Sequence, residues 1–408
     1  MRKLRAALAV AEANGFAGAA RLVNMSQPAI TRAVQSLEAE LGASLFHRTS
    51  RTLGMTGAGR LLTQRARRAQ DYLKAAEAEL HAFDRQAPER TNMLAQHAAD
   101  HEFAALLAIA ESGSISAAAR AAGPSQPALN KSLRTLEERI GHTLFHRTSN
   151  GMRLTPAGEI LLRRVKLARS EIRQAVEEIR YLRGEAGGRI RIGALPLTRV
   201  QLVPLAIENL LETFPLAEVA IVDGTYEVLL KALRNGDIDI LAGTIRRPAP
   251  VEGLNSEELF LDDVAIVACA DHPLAGRERV DLADCLDHGW ILPFQGVPLR
   301  QKFEETLRDR GLSAPQNVIE ADSIVAVRSL LMRGSRLAIL SRHQVHYEVI
   351  WGVLKILPVD LPDVMRPVGT TVRADFSPTP AAAALLDALR AAALVVSAQP
   401  ARLSAGIL

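Results

Sequence analysis

SQPAITRAVQSLE (residues 26–38) returns as SQPALNKSLRTLE (residues 125–137), and LFHRTS follows each at the same distance, at 45–50 and 144–149. A constant offset of 99 positions aligns Ala9 with Ala108, Glu12 with Glu111, Arg21 with Arg120, Gly42 with Gly141 and Gly59 with Gly158, without a gap. Such agreement marks a duplication. Two copies are too few for a solenoid, so each is expected to be a small domain of its own.

Each copy reads as three short helices. Residues 3–13 and 102–112 are apolar and alanine-rich, and NGFAGAARLVN (14–24) and SGSISAAARAAG (112–123) give a second helix with a turn at each end. The third begins in the quoted stretch. Ser26 and Ser125 are suited to cap it, and Pro28 and Pro127 fall in its first turn, where a missing N–H breaks no intrahelical bond. Behind them Ile30, Val34, Leu37 and Leu41 repeat at helical spacing, as do Leu129, Leu133, Leu136 and Ile140, which makes this stripe core. The exposed side then carries Gln27, Thr31, Arg32 and Gln35 in the first copy and Gln126, Asn130, Lys131 and Arg134 in the second. That is the composition of a helix-turn-helix DNA reader. Gln pairs bidentately with adenine and Arg or Lys with guanine, while Thr meets a base edge or a phosphate.

LFHRTSRTLGMTGAG and LFHRTSNGMRLTPAG follow, each with an apolar pair (Leu45 and Phe46, Leu144 and Phe145) ahead of a basic, turn-rich loop. The pair anchors a wing from which Arg48, Arg51, Arg147 and Arg153 reach phosphates or the minor groove. His47 and His146 stand beside arginines with no metal-ligand spacing. Thr56 and Thr155 then cap a long helix in each copy. In the first, Leu62, Ala66, Ala69, Leu73, Ala76, Leu80 and Phe83 alternate spacings of four and three; in the second, Leu161, Val165, Ala168, Ile172, Ala175, Ile179 and Leu182 do the same. This seam predicts a coiled coil.

The net charge of +4 conceals a division along the chain. Residues 1–186 carry 27 Lys+Arg against 18 Asp+Glu, a net of +9, which leaves −5 for the remainder. A basic half joined to an acidic half points the first toward a polyanion. The two cysteines, Cys269 and Cys285, form neither a disulfide framework nor a metal spacing, so a reducing cytoplasm is the expected setting. Glu12 and Asn14 interrupt the apolar start before it could serve as a signal core, and no membrane span is expected. No G-x-S-x-G, P-loop or H-E-x-x-H occurs, and His343 with His346 lacks a carboxylate at helical spacing, so neither catalytic residues, metal nor cofactor is expected.

On these residues the chain resembles the LysR-type transcriptional regulators. The second copy matches their winged helix-turn-helix signature from AAARAAGPSQPALNKSLRTLEERIGHTLFHRTSNGMRLTPAGEILL (117–162), and the first from SQPAITRAVQSLEAELGASLFHRTSRTLGMTGAG (26–59). The usual member has one such domain per chain; here there are two. The implied readers are Ser26, Gln27, Pro28, Thr31, Arg32, Gln35, Arg48 and Arg51, and in the second copy Ser125, Gln126, Pro127, Asn130, Lys131, Arg134, Arg147 and Arg153. In the family the linker helices of two chains pair antiparallel. With both helices in one chain, an internal pseudo-dimer is expected as an alternative to homo-oligomeric pairing between chains. Because Thr31 and Arg32 correspond to Asn130 and Lys131, the two half-sites are expected to differ in sequence.

From Gly187 the composition changes to short β-type runs alternating with helices: RIRIGAL, PLAIENLLETF, VAIVD, YEVLLKALRNG, IDILAGT. This βαβαβ rhythm implies parallel strands. The resemblance implies an α/β, periplasmic-binding-protein-like effector domain of two subdomains, with a small molecule in the crevice at the strands' carboxyl ends. By matching positions that crevice is lined by Leu197, Thr198, Thr225, Thr244, Ile245, Phe294, Gln295 and Ser323. Thr198, Thr225 and Ser323 also read as helix caps. WILPFQGVPLR (290–300) is similar to the galactose-binding-protein regulator branch, and aromatic-acid-responsive relatives are similar as well, which leaves a sugar or an aromatic acid as the effector class.

The expected organisation is multidomain: two all-α-dominated winged helix-turn-helix domains with linker helices, then the effector domain. Its boundaries are 1–56 (first reader), 57–84 (linker helix), 85–100 (connector), 101–155 (second reader), 156–186 (linker helix) and 187–400. Within the last, subdomain I is 187–258 with 364–400 and subdomain II is 259–363. The expected function is a transcriptional regulator binding double-stranded promoter DNA and a small-molecule effector, not an enzyme. The alternatives are a solute-binding protein or an unrecognised enzyme with a helical N-terminal interaction region.

Overall fold

A computed structural model describes residues 2–48, 53–83, 93–149, 151–246, 252–361 and 364–404. The chain divides into two compact units, essentially residues 1–189 and the remainder.

In the first unit the duplicated sequence folds twice into the same pattern. The first copy has α1 (Arg2–Glu12), α2 (Phe16–Leu22), α3 (Gln27–Leu41) and a two-stranded antiparallel ribbon of β1 (Phe46–Arg48) and β2 (Leu53–Met55), followed by α4 (Gly57–Phe83). After a short α5 (Met93–His97), the second has α6 (Asp100–Ser112), α7 (Ile115–Ala122), α8 (Gln126–Ile140), the ribbon β3 (Phe145–Thr148) and β4 (Gly151–Leu154), and α9 (Pro156–Leu182). The connector expected at 85–100 therefore contains a helix and the start of α6. Leu94, Ala95 and Ala98 are apolar and buried in the second core, which local spacing around so short a helix does not reveal.

The local causes repeat at the 99-residue offset. Ser26 and Ser125 accept from the N–H groups of Ala29 and Ala128, both at 3.4 Å, and Gly42 and Gly141 close the helices at φ 62° and 77°. The Glu38 carboxylate accepts from the N–H of Leu45 and that of Glu137 from Leu144, each at 2.7 Å, which anchors both ribbons. Gly59 and Gly158 lie so close to the carbonyls of Leu45 and Leu144 that a Cβ would sit 2.1 and 2.2 Å from the oxygen, so only glycine fits. One contact repeats with its charges exchanged: Lys3 pairs with Glu40, and at the equivalent positions Glu102 pairs with Arg139. Equal packing of α1 on α3 and of α6 on α8 explains the exchange.

Helices α4 and α9 run antiparallel against each other, since Arg65 meets Glu178 while Glu79 meets Arg163 and Arg164. Each also braces the opposite head. Ala175 and Ile179 of α9 join the core of the first copy, and Leu73, Ala76 and Leu80 of α4 join that of the second. The apolar seam is buried from Leu62 to Leu80 and from Leu161 to Ile179, with Ile172 half-buried. It stops short at both ends: Phe83 and Leu182, expected within it, are the last residues of their helices and are more than half exposed.

The second unit contains two five-stranded sheets. Its elements are β5 (Gly187–Ala194), α10 (Leu202–Thr213), β6 (Leu216–Val222), α11 (Tyr226–Arg234), β7 (Ile240–Thr244), β8 (Leu254–Asp262), β9 (Val264–Cys269), α12 (Leu282–Leu286), β10 (Gly289–Leu292), α13 (Pro298–Asp309), β11 (Val318–Glu320), α14 (Ile324–Arg333), β12 (Arg336–Ser341), α15 (His346–Ile350), β13 (Leu354–Ile356), β14 (Arg366–Arg373) and α16 (Pro380–Ser404). The sheet orders are β6-β5-β7-β14-β8 and β11-β10-β12-β9-β13. As the rhythm implies, β5 and β7 are parallel, as are β10, β11 and β12. The strands on which the chain enters one sheet from the other depart from it: β14 is antiparallel to β7 and β8, and β9 to β12 and β13. The strand β8 stays in the first sheet to Asp262, four residues beyond the expected boundary at 258.

The second sheet is apolar on both faces. Ile266, Trp290, Leu292, Leu337 and Ile339 pack with Phe303 and Leu307, whereas Val267, Ile291, Ala338 and Leu340 pack with Val327 and Leu331. Alternation along each strand thus explains runs such as VAIVACA and RLAILSR. Against the expectation of no membrane-length segment, the 19 residues Pro380–Ala398 of α16 are long and apolar enough to qualify. They carry Asp387 and Arg390, and Ala381, Leu385, Leu389, Ala392 and Val396 are buried, as in the core helix of a domain.

Candidate DNA and effector sites

The first turns of α3 and α8 project from their cores through the capping serines and the prolines behind them. Ser26, Gln27, Pro28, Arg32 and Gln35 are exposed, and so are Ser125, Gln126, Pro127, Lys131 and Arg134; Thr31 and Asn130 are half-buried. The Thr31 hydroxyl donates back to the Gln27 carbonyl at 3.1 Å. Among the described residues none of Arg32, Lys131, Arg134, Arg147 and Arg153 is held in an ion pair, in contrast to Arg65, Arg139 and Arg164. Unpaired cations on an exposed helix turn are available to phosphate or base edges.

The ribbons divide the expected wing residues. Arg147 and Arg153 are both exposed, but His146 pairs across the ribbon with Arg153 and Arg147 with Met152. Arg147 and Arg153 therefore point to opposite faces, and His146 shares the face of Arg153. Arg48 ends β1, and Arg51 lies outside the described residues. The turns that set the helices apart take left-handed backbone in both copies, at Asn14 and Asn24 (φ 49° and 52°) and at Gly113 and Gly123 (φ 67° and 89°). Asn tolerates this conformation and Gly adopts it freely, so the substitution preserves the geometry.

In the second unit the carboxyl ends of β5 and β7 are tied by the Thr198 hydroxyl, fully buried and within hydrogen-bond distance of the carbonyls of Leu195 (3.0 Å) and Ala242 (3.2 Å). Thr198 is therefore committed to the backbone rather than open to a crevice. Leu197 and Ile245 are buried and Thr244 is half-buried. Thr225 and Ser323 accept from the N–H groups of Val228 and Ala326, both at 3.4 Å, as helix caps. After β10, Phe294 and Gln295 are exposed, and the Gln295 amide donates to Glu304 at 3.1 Å.

Two further residues join the sheets where their carboxyl ends meet. Gln201, following β5, lies 3.3 Å through its Oε1 from Nδ1 of His343, which follows β12, and Phe260 stands edge-on to the His343 ring at 5.2 Å. Beneath them fully buried Asp262 accepts from the Ser341 hydroxyl at 2.5 Å and from Arg366 at 2.9 Å. Sequence spacing gave no signal for this group, because its members come from four strand ends far apart in the chain.

Burial pushes the His343 pKa below 6.5, only partly offset by Asp262 and Asp263, and burial also lowers His272 and His346. The unfolded chain then binds protons that the folded one refuses. Stability is complete above the ordinary value and is lost as pH falls below it. The denaturation midpoint of this unit, followed by tryptophan fluorescence, is expected to drop over that range, and less so in His343→Gln. A midpoint independent of pH in the unaltered protein would contradict it. Burial also pushes the Cys285 thiol up to about 12, which makes it a packing group rather than a nucleophile.

Comparison with known proteins agrees with this architecture. Residues 183–394 match the LysR substrate binding domain, and the bacterial regulatory helix-turn-helix family of lysR type matches twice, at 1–60 and 101–159. The chain is 31% identical to the HTH-type transcriptional regulator GalR of Pseudomonas putida over 390 residues, 96% of either chain. It is 33% identical to the regulator PcaQ of Agrobacterium fabrum over 285 residues, 70% of this chain and 92% of that one. Full-length OxyR from Pseudomonas aeruginosa shares the fold with a TM-score of 0.55 at 24% identity, covering 72% of this chain and 98% of its own. These matches remove the solute-binding and enzymatic alternatives: the chain belongs to the LysR family and is a DNA-binding transcriptional regulator with an effector-binding domain.

Proposed function

We propose that one chain of this regulator carries two winged helix-turn-helix readers, joined by an antiparallel coiled coil of its own linker helices, and that this internal pseudo-dimer reads both halves of one promoter site. The observation that carries the reading is an ion pair made twice. Arg65–Glu178 and Arg164–Glu79 exchange under the 99-residue offset, as contacts about a pseudo-twofold axis must. The exposed, unpaired cations of α3 and α8 supply the base and phosphate contacts, with Gln27, Thr31 and Gln35 facing one half-site and Gln126 and Asn130 the other.

The effector binds between the two sheets of the second unit, against Leu197, Thr244, Ile245, Phe294 and Gln295, with Gln201 and His343 completing the wall. Thr198, Thr225 and Ser323 hold the surrounding loops. A sugar or an aromatic acid fits this mixture of apolar and hydrogen-bonding groups. Free Cys269 and buried, free Cys285 suit a reducing cytoplasm.

Replacing Arg32 or Lys131 with alanine tests the two readers separately. Loss of a base contact costs about 1–3 kcal/mol and relaxes specificity at one position. Each variant is expected to lose protection and sequence preference in a different half of the footprint. Equal weakening on all sequences would make both residues phosphate contacts, and protection of only one half-site per chain would overturn the two-reader reading.

A further inference from the structure

The two ends of the α4–α9 pair are not equivalent. At one end the Arg65 guanidinium, besides its bond to Glu178, donates through Nη1 to Glu171 (2.9 Å) and Gln174 (2.8 Å), and Arg68 donates through Nε and Nη2 to Glu171 at 3.0 and 3.1 Å. The 99-residue offset turns Arg68, Glu171 and Gln174 into Leu167, Tyr72 and Ala75. The other end therefore lacks the cluster, and among the described residues Glu79 there receives Arg163 and Arg164.

Like-with-like pairing would leave this cluster incomplete. Two α4 helices in the same register would set Tyr72 and Ala75 against Arg65 and Arg68, so that the arginines of both helices would share only the Glu79 carboxylates. Two α9 helices would keep an arginine, Arg164, opposite Glu171, Gln174 and Glu178, but would set Leu167 where Arg68 now stands and remove the bidentate partner of Glu171. Only α4 with α9 supplies every partner. Burial gives the difference weight, because Arg65, Glu171 and Gln174 are 3–5% exposed and water cannot replace a missing partner.

We propose that Arg65, Arg68, Glu171 and Gln174 form a pairing key that favours unlike copies, so that each DNA-reading unit carries one head of each kind in a fixed order and reads its site in one direction. This rests on the reading that both heads bind DNA. The partner is supplied by the same chain: only residues 84–92 separate α4 from α5, and the Leu94 N–H donates to Glu77 of α4 while Leu94, Ala95 and Ala98 pack in one core with Leu80. The key thus disfavours α4–α4 and α9–α9 pairing with a second copy, while the short tether selects the helix of the same chain.

The test uses the full chain and a duplex selected by it from a random-sequence pool, together with two palindromes that repeat either half. The unaltered protein is expected to bind the selected site at least about tenfold tighter than either palindrome, the factor that one lost bidentate base contact supplies. Glu171→Leu alone, which takes one carboxylate from both Arg65 and Arg68, is expected to lower the thermal midpoint. Arg68→Met with Glu171→Leu replaces charge by apolar volume on both sides; it is expected to recover that midpoint and to bind a palindrome as two chains with much of the discrimination lost. Glu171→Gln, which keeps the shape, is expected to lose discrimination in part and supplies the same readout if the double variant does not fold. Palindromes bound within about twofold of the selected site by the unaltered protein, or full discrimination in the variants, would overturn the key. Protection of a single half-site by the unaltered chain would instead remove the two-reader reading itself.

Discussion

Arg65→Ala is expected to destabilise the N-terminal unit by about 3–5 kcal/mol, the cost of removing one partner from a buried ionic cluster. Burial opposes the charge of Arg65, but the hydrogen bonds it donates to Glu178 and Glu171 outweigh it and raise the guanidinium pKa above its ordinary value. Without Arg65, Glu178 and Gln174 lose their Arg65 hydrogen bonds, while Arg68 still holds Glu171. For a unit of this size the thermal midpoint falls roughly 2–4 °C per kcal/mol, so a drop of about 6–20 °C in the helical circular-dichroism transition is expected. The symmetry-related Arg164→Ala is expected to cost much less, on the order of 1 kcal/mol, because Arg164 and Glu79 are 23% and 30% exposed and water screens the pair. Equal effects at the two positions would contradict the asymmetry of the linker.

Asp262→Ala is expected to have a comparable effect on the C-terminal unit alone. The carboxylate ties the ends of β8, β12 and β14, and its loss removes a partner from both Ser341 and Arg366 at the point where the chain passes between the sheets. About 3–5 kcal/mol is expected for the alanine variant and less for Asp262→Asn, which keeps the shape and one acceptor. Both tryptophans, Trp290 and Trp351, belong to this unit, so urea denaturation followed by fluorescence reports it selectively. Its midpoint should fall while the helical transition of the first unit stays in place. A shift of both transitions would show that Asp262 does not act locally.

The heads were legible in the sequence because their causes are local and occur twice. A capping serine, a proline in the first turn, a glycine at the end and apolar residues at helical spacing each act within a few positions, and the offset identifies them independently in the second copy. The linker was legible only in its apolar seam. Arg65, Glu171, Gln174 and Glu178 read as ordinary solvated polar groups along a helix, and nothing within one helix shows that they meet partners more than 100 residues away. The same limit hid α5, whose burial depends on α4 and α8, and the antiparallel strands β9 and β14, whose direction follows from the passage between sheets.

The crevice illustrates a second limit. Thr198, Thr225 and Ser323 could each serve a loop or a ligand, and the hydroxyls are spent on backbone. Gln201 and His343, which do bridge the two sheets, stand in stretches without a motif.

One chain is expected to hold a complete two-headed reader. Native mass spectrometry of the full chain bound to a duplex with one selected site, combined with footprinting of the same complex, measures the number of protected half-sites per chain. Two half-sites per chain are expected, whether or not chains associate further through their effector domains. One half-site per chain would contradict the account.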